Sequence, residues 1–143
     1  MADLSQFGVH ADGDTTLEIV TERPLPQMLQ ALIVRALQSD GRYEVVVAAP
    51  SRVPADLLLD VELRRFEAVY APGAESPTVR VEFQATLVDS RRAQRVSSIV
   101  ASAEAGAESN RRGAVLEAFE RATGESVRTL AAWLRETQPT AAD

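Results

Sequence analysis

Apolar residues recur with a period of two in some stretches of the chain and of three to four in others, and the order of these stretches gives the elements. Residues 16–21, TLEIVT, alternate with β-branched enrichment and predict a short strand, closed by Pro24 and Pro26. Over residues 25–39 the apolar positions Leu25, Leu29, Leu32, Ile33, Ala36 and Leu37 lie at helical spacing and mark a core-facing stripe. Asp40-Gly41 follows as its stop, with glycine suited to a left-handed cap. Residues 43–48 are a β-branched run that reads as another short strand, ended by Pro50 and Pro54.

From residue 57 the alternation is longer. Leu57, Leu59, Val61 and Leu63 face one way and Asp60, Glu62 and Arg64 the other, which predicts a half-buried strand. Phe66, Ala68 and Tyr70 then continue on the opposite parity, so a bulge or strong twist is expected near Arg64-Arg65. Residues 71–77, APGAESP, form a loop by composition. Val81, Phe83, Ala85 and Leu87 next oppose Arg80, Glu82, Gln84 and Thr86, and a charged turn over residues 89–94 leads to a returning strand at 96–104. The final helix spans about 111–137, with Val115, Phe119, Ala122, Ser126, Leu130 and Trp133 at steps of three and four. Three long strands with short connections imply an antiparallel meander. The expected fold is therefore α+β: a two-layer sandwich of a mostly antiparallel sheet with two amphipathic helices on one face.

Composition narrows the function more than the fold. With 143 residues, 45% of them hydrophobic, the chain fills one core, so residues 15–137 are expected to be a single domain between a flexible lead-in (1–14) and a tail (138–143). A net charge of −6 removes the concentrated basic surface that nucleic-acid binding needs. All 15 basic residues are arginine, and without lysine no P-loop can form. The absence of cysteine excludes disulfides, thiolate metal sites and a cysteine nucleophile. The only histidine, His10, stands in the polar lead-in with no triad partner beside it. Asp60, Glu62 and Glu82 alternate outward with Arg64 and Arg80 and read as a solvated ladder, not as a desolvated acid/base pair. Neither an enzyme nor a cofactor or metal site is expected. No stretch reaches the roughly 20 apolar residues of a membrane span, so the chain as given is expected to be soluble.

Four segments together carry a resemblance. LPQMLQALIVRALQSDGRYEVV (25–46), LLLDVELRRFEAVY (57–70), VRVEFQATLVDSRRAQRV (79–96) and AVLEAFERATGESVRTLAAWL (114–134) occur in the order found in the ABC-type transport auxiliary lipoproteins, the family that includes paraquat-inducible protein C. The chain resembles that family from about Leu25 to Leu134. The resemblance implies a non-catalytic auxiliary subunit of an MCE-type lipid or solvent-resistance transport system in a Gram-negative envelope. Its partner would be an MCE-domain protein, with homo-oligomers as a further assembly. It also implies a periplasmic protein held at the outer membrane by a lipid anchor that this chain does not carry. The alternative is a periplasmic carrier holding a small ligand or acyl chain between sheet and helices.

A docking protein needs apolar or aromatic anchors on a face its own helices leave free. Phe66 and Tyr70 are the candidate partner-binding residues, if the phase slip carries them to the outward face. A bulge could equally turn them into the protein's own core.

Overall fold

The computed structural model describes residues 15–50, 52 and 54–137; the expected lead-in with His10 and the expected tail lie outside the described residues. Five strands form one sheet in the order β2-β1-β3-β4-β5, from β1 (Thr16–Val20), β2 (Val45–Ala48), β3 (Leu57–Val69), β4 (Thr78–Asp89) and β5 (Gln94–Gly106). Helices α1 (Gln27–Ser39) and α2 (Arg112–Thr137) pack against each other, α1 also meeting β2 and α2 meeting β4 and β5. The α+β architecture expected from the sequence is the one observed.

The meander is antiparallel throughout: β3 pairs with β4 and β4 with β5. The two short strands behave differently. β1 lies between β2 and β3 and is parallel to both, with Leu17 opposite Val46 and Leu57. Helix α1 supplies the crossover that such a parallel pair requires. Gln38 at its C-terminal end then fastens the edge of the sheet. Its Oε1 accepts the Val46 N–H at 3.0 Å and its Nε2 donates to the Glu44 carbonyl at 3.4 Å. Gly41 has the positive φ, +74°, that ends the helix in a left-handed turn.

The core is the layer between sheet and helices. Leu17, Ile19, Leu57, Leu59, Val61, Val79, Val81, Phe83, Ala85 and Leu87 enter it from the sheet, and Leu29, Ile33 and Leu37 from α1. On α2 the buried line differs from the expected one. Ala122, Ser126 and Leu130 of the expected stripe are buried, together with Ala118, Thr123, Val127, Ala131 and Leu134, whereas Val115, Phe119 and Trp133 are only partly buried at its margins. Small residues on the contact line let a helix approach closely, and Ala101 and Ala103 of β5 are small and buried on the same layer. The bulky residues then fit only at the sides.

The turn from β4 to β5 explains a buried acid. Asp89 is buried, and its Oδ1 accepts the backbone N–H groups of Arg91 and Arg92 at 3.0 and 3.3 Å. This is the Asx-type bonding that makes aspartate a turn residue. Asp56 joins a second strand to the same corner by accepting the Thr16 N–H at 2.9 Å while pairing with Arg91.

Candidate functional site

The helices leave one sheet face uncovered, and alternation dictates what stands on it. In antiparallel pairs, directly opposite residues share a face, so Asp60, Glu62, Arg64, Gln84, Thr86, Ser98, Val100 and Glu104 all belong to the open side. They are linked across strands. Arg64 donates to Gln84 and pairs with Glu62 at 3.6 Å, Gln84 Nε2 donates to Ser98 Oγ at 3.0 Å, and Thr86 and Ser98 share a hydroxyl bond at 3.2 Å. Arg80 pairs with Glu104 directly opposite, at 3.1 Å. The outward ladder read from the sequence is present, although Arg80 takes its acid from β5.

The bulge is where the alternation placed it, with the register of β3 against β4 shifting between Leu63 and Arg65. Its effect is to turn the next residues inward. Phe66 sits opposite the buried Val81, and its ring meets Phe119 of α2 at 4.8 Å between centroids. Phe66 is therefore not on the open face but in the helix layer, partly buried. Tyr70, one residue past β3, is 52% exposed, with its hydroxyl bonded to the Asn110 side chain. The two candidate anchors are thus separated: one lies under α2 and the other at the sheet's rim.

Sequence reading missed the notch beside β3. β1 pairs only with Leu57 to Asp60, so β3 runs on from 61 to 69 with no backbone partner on that side among the described residues. The chain leaving β1 crosses the gap, and Thr21, Glu22, Arg23 and Pro24 wall a cavity of about 580 Å³ against Asp60, Val61, Glu62 and Leu63. Burial, helped by the neighbouring Glu22 and Glu62 charges, raises the Asp60 carboxyl above its usual range. Among the described residues, no group of three or more His, Asp or Glu side chains is arranged to hold a metal ion. The geometry offers a concave, acidic rim next to open backbone.

The raised carboxyl has a measurable consequence. A carboxyl whose folded pKa exceeds its unfolded one favours the fold when protonated and loses that contribution as pH rises through the folded value. Asp60→Asn should therefore raise the urea midpoint at neutral pH, with the advantage shrinking below about pH 4. Identical midpoints at neutral pH would contradict the acidic cluster.

Residues 23–131 match the family model of the ABC-type transport auxiliary lipoprotein component. The chain belongs to this family. Its fold recurs in a Xanthomonas campestris protein, 24% identical, covering 86% of this chain and 84% of that one with a TM-score of 0.71. A lipoprotein from Caulobacter crescentus CB15 is 20% identical over 86% and 93% of the two chains, with a TM-score of 0.59. PelC of Paraburkholderia phytofirmans, solved as a dodecamer, is 19% identical over 85% and 89%, with a TM-score of 0.54. A search of curated proteins found no match by sequence. Membership makes the chain an auxiliary component of transport and an envelope-associated lipoprotein type, in agreement with a non-catalytic part. None of the described helices is long and apolar enough to cross a membrane.

Proposed function

We propose that this protein is the docking subunit of an MCE-type lipid or solvent-resistance transport system, held at the periplasmic side of the outer membrane by a lipid anchor. The observation that carries the reading is the unpaired stretch of β3 beside the acidic notch, which ends at the exposed Tyr70. An open strand edge offers a row of backbone donors and acceptors to a partner's extended segment. Tyr70 is the anchor at its end, and the partly buried Phe66 is the second. The charged lining by Glu22, Asp60 and Glu62 suits a polar partner surface better than an acyl chain, which favours docking over the carrier reading. The likeness to PelC supports self-association as a further property of this fold.

The test is co-purification with the periplasmic part of an MCE protein from the same cell. Tyr70→Ala should weaken association by about tenfold, roughly 1.4 kcal/mol, without loss of fold. Phe66→Ala should weaken both binding and stability. Failure of the folded wild type to associate would remove the docking reading and promote the carrier.

A further inference from the structure

The sheet has two outer edges, and they are finished differently. The β2 edge is closed by Gln38, whose amide occupies the Val46 N–H and the Glu44 carbonyl. On β5, the described residues tie down the last position alone in this way, with Arg121 donating to the Gly106 carbonyl at 2.6 Å. Between them, residues 96–103 read VSSIVASA, with no charge and no proline. Edge strands are normally protected by charges, proline, bulges or a cover, because bare edges pair with other chains. In addition, Val100, at the middle of β5, points to the open face and is 48% exposed.

We propose that β5 pairs antiparallel with β5 of a second copy, about a two-fold axis at Val100, joining two sheets into one of ten strands. A two-fold axis normal to the sheet keeps the helices of both copies on one side, so residues with the same facing must oppose one another. Centring on Val100 meets that condition. Val100 then faces its own equivalent, Ser98 faces Ser102, and Ile99 faces Ala101.

The ends of the strand decide for this register. The shift between β4 and β5 skips Val96, so that Arg95, opposite Val88, stands on the open face two positions after Ser98 in facing order. In the second copy the corresponding position is Glu104, also on the open face. Two Arg95–Glu104 pairs therefore close the interface, one at each end. Arg95 is exposed and has no ion-pair partner among the described residues, and the Glu104 side chain, though paired with Arg80, is 61% exposed. The occupant that complements this edge in charge is the edge itself.

The absence of cysteine makes the register testable. In the paired strands, residue 100 of each copy lies within the Cα separation of about 4.4–6.8 Å that a disulfide accepts, whereas the two copies of residue 102 are about 14 Å apart at 3.4 Å per residue. The full chain carrying Val100→Cys should cross-link to a dimer under mild oxidation, and Ser102→Cys should not. Sedimentation should show a concentration-dependent dimer of the wild type. Arg95→Glu should weaken it by about tenfold, because two cross-strand pairs turn repulsive together, and Arg95→Glu combined with Glu104→Arg should restore it. A wild type that stays monomeric, equal cross-linking at both positions, or an oligomer indifferent to Arg95→Glu would overturn the proposal. These readouts are independent of binding to an MCE protein, since all are made on the purified chain alone.

Discussion

Replacing Phe83 with alanine is expected to lower the free energy of unfolding by about 3–5 kcal/mol, the range for emptying a large buried aromatic site. Phe83 has no exposed surface and lies between Leu63 on β3 and Ala101 on β5. Helix α2, which packs on β4, buries Ala118, Ala122 and Ala131, and alanines cannot lean in to fill the space. Phe119→Ala should cost clearly less. That ring is only partly buried and loses chiefly its contact with Phe66, a pair worth about 0.5–1.5 kcal/mol beyond area. Urea unfolding with an unchanged slope measures both. Equal losses would mean that the large residues of α2 form its contact line after all.

That contrast shows which parts of the fold are legible in sequence. Period-two alternation gave β3, β4 and β5 because their faces meet different solvents, and the parity slip located the bulge because β-pairing leaves no other way to absorb one residue. The cap at Gly41 was legible because only a left-handed residue ends the helix there. The parallel placement of β1 was not. Strands as short as TLEIV and VVVA carry no record of their neighbours, and the pairing is set by where α1 returns the chain. On α2, spacing placed Ala122, Ser126 and Leu130 correctly, but size misled for the rest: closeness to the sheet also selects Ala118, and the bulky Phe119 and Trp133 move to the flanks.

The candidate site divides along the same line. Asp60, Glu62, Arg64 and Gln84 were assigned to the open face by alternation, and they stand there. Phe66 could not be assigned, because the direction taken after a bulge depends on the register of the neighbouring strand, and Val81 opposite it fixes the ring inward. Tyr70 was legible only as an aromatic near a strand end. The notch was invisible, since it arises from the difference in length between β1 and β3, a relation between segments far apart in sequence.

Alkaline titration should destabilise the protein through one residue. Tyr43 is 3% exposed and its phenol is pushed up to about 12 by burial, against a downward pull from Arg42 and with a smaller upward push from Asp40. Below the ordinary tyrosine value of about 10, the folded and unfolded chains both hold the proton and the contribution is fully present. Above it the unfolded chain releases the proton while the folded one keeps it, so stability falls until the folded group also ionises near 12. The full loss corresponds to about 2–3 kcal/mol, from a difference of about two pKa units. Few other side chains interfere: the chain has no lysine or cysteine, arginine stays charged throughout the window, and the second tyrosine, Tyr70, is common to both proteins compared. Urea midpoints between about pH 9 and about pH 11.5 should therefore fall steadily in the wild type and much less in Tyr43→Phe, which has no proton to lose. Parallel declines in both proteins would show that Tyr43 titrates as an exposed phenol, and that the corner between α1 and β2 opens in solution.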